Sequence, residues 1–215
     1  CYNPKLATEV TLQPIRRFGM DASIVFADIL LVPDGLGQKL DYVEGKGPVL
    51  EPIRSLSDLS RLSLEKLHSR AGPVYETVSR VAESLPKDVS LIGFAGAPWT
   101  VACYMVEGSG SRDHALIKHW AYEDPNSFEK LMEILVVATA EYLRKQVEAG
   151  AEVVQIFDTW AGVTNEAAFL RWCIEPVKKI VSELRKHFPD IPIIGFPKGV
   201  GAGYLEFSRV AGVNG

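Results

Sequence analysis

Four short apolar runs, each followed by a helix-length segment, constrain this chain more than any other feature in it. The runs are residues 22–27, 89–94, 152–157 and 191–196. Runs of this length bounded by turn residues read as strands buried on both faces. Parallel strands cannot be joined by a tight turn and need crossovers, usually helical. The alternation therefore predicts an α/β fold with a parallel sheet. Four such units are half of a (β/α)8 barrel, and the count alone does not separate a half barrel from a small doubly wound sheet. Long excursions after the first and second strands favour the barrel, where loops at one face grow to build a site.

The connecting segments read as follows. Leu6 to Phe18 is a helix, with Leu6, Val10, Pro14 and Phe18 at four-residue spacing and Pro14 expected to kink or shorten it. Residues 38–52 carry Gly45, Gly47, Pro48 and Pro52 and read as an excursion with a β-hairpin. A short helix is expected near Asp58 to His68, then one opened by Pro73 and ended by Pro86. Trp99, Cys103 and Val106 fall on one face of a helix after the second strand. Another helix covers His114 to Tyr122. Asp124 caps, and Pro125 opens, a long helix stopped by Gly150. Asn165 to His187 is helical with a break near Pro176, and a last helix begins near Gly203.

A chain of 215 residues, 47% hydrophobic, suits one domain, residues 1–215, with a substantial core. It opens on Cys1 and closes on Ala-Gly-Val-Asn-Gly, which suggests a piece of a longer protein. The net charge of −4 and the lack of a basic block argue against nucleic acid as a partner. No apolar run reaches membrane-spanning length. Cys1, Cys103 and Cys173 are far apart and form no CxxC pair, which points to a reducing, cytoplasmic setting. His114 and His119 are spaced poorly for sharing one metal, so both are expected at the surface.

Each strand is followed at once by a polar or special residue. These are Asp28, then Gly96, Pro98 and Trp99 with Tyr104 one turn on, then Asp158 and Thr159, then Lys198. In a parallel barrel all of these ends open on one face, and convergent polar groups at the mouth of an apolar core describe a ligand site. Each has a plainer reading. Asp28 caps the next segment, Asp158 closes an Asx turn over its own loop, Lys198 is solvated, Tyr104 and Trp99 are core. The glycines of Gly93-Phe94-Ala95-Gly96 either take positive φ or let backbone approach a ligand. No nucleophile elbow, Walker loop or zincin helix occurs.

Phe26-Ala27-Asp28-Ile29-Leu30, Gly93-Phe94-Ala95-Gly96-Ala97-Pro98-Trp99-Thr100, Tyr104-Met105-Val106-Glu107-Gly108 and Asp158-Thr159-Trp160-Ala161-Gly162 together resemble the successive motifs of the uroporphyrinogen decarboxylase family. The opening Asn3-Pro4 to Pro14 and Gly47-Pro48-Val49 resemble it too, so the likeness runs along the whole chain. It implies a (β/α)8 barrel of which this chain covers about the second to fifth units. It also implies a homodimer in haem and chlorophyll synthesis that removes the four acetate carboxyls of uroporphyrinogen with no metal or organic cofactor. Asp28 matches the aspartate that accepts from the pyrrole N–H groups, and Tyr104 the tyrosine beside the reacting acetate. Thr159 stands where many members have Ser and keeps the hydroxyl for substrate contact. Phe26, Trp99 and Phe196 correspond to apolar wall or core.

The family's N-terminal Arg-Gln-Ala-Gly-Arg-type segment and its C-terminal Gly-His-Gly-like histidine are not matched, so these residues by themselves are expected to be inactive; turnover by them would refute that. A related corrinoid-dependent methyltransferase, and a tetrapyrrole-binding barrel without catalysis, are the alternative readings.

Overall fold

In the computed structural model, residues 1–45 and 47–215 are described; Lys46, within the expected hairpin, lies outside them. Helix α1 (Pro4–Phe18) is capped by Asn3, whose side chain accepts from Leu6 N–H, and ends at Gly19 with φ 60°. It runs through Pro14 to its expected end. Its buried face is Ala7, Thr11, Leu12 and Ile15, so the Leu6, Val10, Pro14 and Phe18 stripe points outward. Strand β1 (Ala22–Ile24) is shorter than expected, and α2 (Leu31–Gly35) forms where a loop was expected. The hairpin is present as β2 (Leu40–Val43) paired antiparallel with β3 (Gly47–Leu50). The short helix near Asp58 is two 3₁₀ turns, Leu56–Arg61 and Leu64–Lys66. Helix α3 (Leu67–Ser84) starts before Pro73 and carries that proline inside. The expected start was misplaced because one buried face, Leu67 and Ala71 before Pro73 and Val74 and Val78 after it, carries the helix across the proline.

Strand β4 (Ser90–Gly96) leads into α4 (Pro98–Glu107), opened by its proline and closed by Gly108 at φ 83°. Helices α5 (Ala115–Glu123) and α6 (Pro125–Glu148) follow, the second capped by Asp124, which accepts from Ser127 N–H. Strand β5 (Val153–Asp158) precedes α7 (Glu166–Phe169), a π turn at Leu170–Ile174 and α8 (Glu175–His187), so the expected break is a π turn just before Pro176. Strand β6 (Ile193–Pro197) and α9 (Gly203–Val210) complete the chain.

The sheet runs β1-β4-β5-β6, parallel throughout. Ile24, Ile92 and Val153 lie in one row; Gly96, Phe157 and Phe196 lie in another nearer the carboxyl ends. Along β5 the burial alternates: Val154, Ile156 and Asp158 are buried beneath helices, while Val153, Gln155 and Phe157 are half-buried. Helix α6 packs on β4, β5, α3, α4 and α8. Its layer holds an edge-to-face cluster in which Phe128 meets Trp172 at 4.9 Å, Trp120 at 5.5 Å and Trp99 at 6.2 Å. The other sheet face is bare: Ile24, Phe26 and Phe196 are 41%, 47% and 43% exposed. A doubly wound sheet covers both faces with helices, whereas a barrel keeps them on the outside. The bare face therefore decides between the two readings in favour of an arc of a barrel.

Candidate functional site at the strand ends

Asp28 leaves β1 half-buried. Its Oδ1 accepts from the Leu30 backbone N–H at 2.8 Å, an Asx-type turn rather than the expected helix cap, since α2 has Leu30 as its N-cap and no side-chain cap bond, and its Oδ2 accepts from the Tyr42 hydroxyl at 2.6 Å. Tyr42 belongs to the hairpin, so the excursion after the first strand returns a side chain to the mouth. Phe26 is exposed at the edge of the bare face, with its N–H given to Thr11 Oγ1 at 2.9 Å, and is wall rather than core.

Gly96 ends β4 next to the departing β1. A Cβ there would meet Val101 Cγ2 at 2.7 Å and Ile29 Cβ at 2.9 Å, so this glycine serves close packing between strand ends. Neither it nor Gly93 takes positive φ. At Gly93 a Cβ would meet Gln146 Oε1 at 2.8 Å. That amide, fully buried, accepts from Phe94 N–H at 3.0 Å and donates to Phe94 O at 2.9 Å, locking α6 to β4. Trp99 is 1% exposed and is core, as its plainer reading had it. Tyr104 is half-buried on α4, its ring 6.4 Å from that of Trp160.

The β5 end is held from α4. Asp158 is 1% exposed, and its Oδ1 accepts from Thr100 Oγ1 at 2.6 Å. Thr100 Oγ1 in turn accepts from Trp160 N–H at 2.9 Å, and Trp160 O accepts from Trp99 Nε1 at 3.0 Å. Thus Thr159, half-buried, sits between a clamped aspartate and a clamped tryptophan. Asp158 makes no Asx turn, because its side chain points into the helix layer. Burial pushes its carboxyl up to about 6, against the lowering effect of the Thr100 bond. The Cys173 thiol lies beside it, and Oδ2 has no hydrogen-bond partner among the described residues. The β6 end is tied in through backbone: Lys198 N–H donates to Asp158 O at 3.0 Å and Gly162 N–H to Lys198 O at 3.0 Å. The Lys198 side chain is exposed.

His114 is not on the surface as expected. It is 2% exposed, takes φ 53° before α5, and its ring lies tilted 4.8 Å from that of Trp160. Burial pushes its imidazole pKa down, and neither ring nitrogen has a partner among the described residues. His119 is exposed. Among the described residues no group of three His, Cys, Asp or Glu side chains is arranged to hold a metal, and no helix is long and apolar enough to cross a membrane. A cavity of about 390 Å³ between Trp99, Tyr122, Arg171 and Trp172 lies on the helix side, and none of Asp28, Tyr104 and Thr159 lines it.

Tyr42, Gln146 and the Thr100 hydroxyl carried no signal in the sequence that marked them out. Tyr42 was legible only as an aromatic in an alternating strand, Gln146 only as a polar residue on an apolar helix face. Thr100 stood in a quoted motif without a role.

Fold and site together define a (β/α)-barrel protein with polar groups gathered at the carboxyl ends of its parallel strands. The family model described as uroporphyrinogen decarboxylase matches residues 1–215, and the chain belongs to that family. It is 53% identical over its whole length to the uroporphyrinogen decarboxylase of Rhodospirillum rubrum and 51% identical to that of Mesorhizobium japonicum, spanning 62% of each. A methyltransferase from Methanosarcina mazei shares the fold, with a TM-score of 0.81 at 20% identity over 99% of this chain and 61% of its own.

Proposed function

We propose that the protein carrying this chain decarboxylates the four acetate side chains of uroporphyrinogen, giving coproporphyrinogen and CO₂ in porphyrin synthesis. In this reading residues 1–215 are one domain, part of a (β/α)8 barrel that acts as a cytoplasmic homodimer without metal or organic cofactor. The observation that carries it is the Asp28 carboxylate beside an apolar sheet face of Phe26, Phe157 and Phe196. A flat macrocycle with N–H groups at its centre and an apolar rim needs such a pairing.

In each cycle a proton adds to the pyrrole ring carbon next to the one bearing the acetate arm, leaving positive charge shared between the ring nitrogen and the arm-bearing carbon. The ionised Asp28 accepts the N–H bonds and stabilises that charge. The bond between methylene and carboxylate breaks, its electron pair forms a double bond from the methylene to the arm-bearing ring carbon and cancels the ring's charge, and CO₂ departs. A proton then reaches the methylene carbon to make the methyl group, and the ring regains its starting protonation. Tyr104 and Thr159 orient the reacting acetate from the β4 and β5 ends.

The test is anaerobic turnover of uroporphyrinogen by the complete protein, with product carboxylates counted by chromatography and a chelator present. Stepwise loss of four carboxyls supports the reading. No turnover, or activity only with zinc and a corrinoid, moves the assignment to a binding barrel or a methyltransferase. Asp28→Asn is expected to abolish turnover; normal turnover would remove Asp28 from its role.

A further inference from the structure

The Asp28 carboxylate is not free. An ionised carboxylate offers about four lone-pair sites. One is taken by Leu30 N–H at 2.8 Å and one by the Tyr42 hydroxyl at 2.6 Å. Two sites remain for the four N–H donors of the macrocycle proposed above. The Leu30 bond belongs to the turn that ends β1 and stays as long as that turn exists. The Tyr42 bond is different in kind. Tyr42 lies on a two-stranded hairpin, is 61% exposed, and can give its hydroxyl to water without leaving a buried group unpaired.

We propose that Tyr42 is a positioning residue that sets substrate affinity: its phenol holds Asp28 Oδ2 and yields that oxygen to a pyrrole N–H when the macrocycle binds. This inference rests on the decarboxylase reading. The surrounding groups keep the phenol a donor. Partial burial, the Asp28 bond and charge, and then Tyr2 and Asp34 all push its ionisation up from the ordinary tyrosine value. On the same side Tyr2 donates to Asp34, which also pairs with Arg70 at 3.1 Å. Asp34 is therefore satisfied without Tyr42, and the phenol's carboxylate partner is Asp28.

The chemistry gives this contact a direction that a structural contact would not have. Removing the hydroxyl while keeping the ring frees an acceptor that substrate needs, so binding tightens. In the complete protein, Tyr42→Phe is expected to lower KM for uroporphyrinogen, and the Kd of the coproporphyrinogen product, by about 2- to 12-fold, the range of one net hydrogen bond. The effect on kcat is much smaller. In an Asp28→Asn background Tyr42→Phe leaves product affinity unchanged, because the shared acceptor has gone. A Tyr42→Phe protein whose KM and Kd are unchanged or raised, beside an active wild type, overturns the role of Tyr42 alone. An inactive wild type overturns the decarboxylase reading, and the Tyr42 inference with it.

Discussion

At the scale of single residues the candidate site depends on buried groups that do not face substrate. Thr100 joins Asp158 Oδ1 to the Trp160 N–H through one hydroxyl. Thr100→Val keeps the shape and leaves both partners unsatisfied in a site with no water access, which costs about 1–3 kcal/mol. Thr100→Ser restores the bonds and most of that loss. Chemical denaturation of the two variants against wild type checks this, and equal loss in both would assign the cost to packing.

Asp158 makes a separate prediction about pH. Its carboxyl is pushed from 3.8 to about 6 in the fold, so between those values the folded state binds the proton and the unfolded state does not. The sign follows: this group makes folding less stable as pH rises from about 4 to about 6, by about 3 kcal/mol at 1.36 kcal/mol per pKa unit. Asp158→Asn keeps an acceptor for Thr100 and removes the titration. The variant is expected to gain stability relative to wild type at pH 7.5 and to lose that advantage near pH 4.5. A difference independent of pH would contradict the burial cause.

At the scale of elements, one side chain adds hydrogen bonds to the apolar packing of α6 on the sheet. Gln146 returns both hydrogen bonds of Phe94, and Gly93 leaves room for the amide. Gln146→Leu leaves a buried N–H and a buried C=O unpaired and is expected to cost about 2–5 kcal/mol. Amide hydrogen exchange would show the loss first at Phe94.

The strands, the strand-to-helix turns and the cap at Asp124 were legible because local chemistry decides them. What was not legible depends on contacts distant in sequence. The spacing of Leu6, Val10 and Phe18 marked a helix correctly but did not locate its buried face, since periodicity does not say which stripe meets α3. His114 read as surface because its burial comes from Trp160. Asp28, Tyr104 and Thr159 were found as residues at strand ends. The Tyr42 phenol on Asp28 spans a hairpin that periodicity alone cannot dock.

At the scale of the whole molecule, the apolar content is divided between a covered and an uncovered sheet face. Ile24, Phe26 and Phe196 stand on the uncovered side, joined by half-buried Phe157, which meets Phe196 at 6.1 Å. Contiguous apolar surface of this kind associates with whatever apolar surface is available. The 215 residues expressed by themselves are expected to self-associate at micromolar concentration and to bind a hydrophobic dye. Light scattering on Phe26→Lys and Phe196→Lys, each returning the protein toward monomer, would place the contact on that face. A wild-type monomer would refute it.

The two backbone bonds that run from Asp158 through Lys198 to Gly162 have a consequence for redesign. A Cβ at Gly162 would stand 2.7 Å from Gly199 O, so neither loop has slack in which to accommodate a change in the other. Exchanging the loop after β5 for a relative's, while keeping the resident loop after β6, would splice together two halves of a fitted joint. Chimeras that swap residues 158–165 and 197–203 as a pair should fold where either single graft does not. Any inherited variation in one loop should be readable as a constraint on the other.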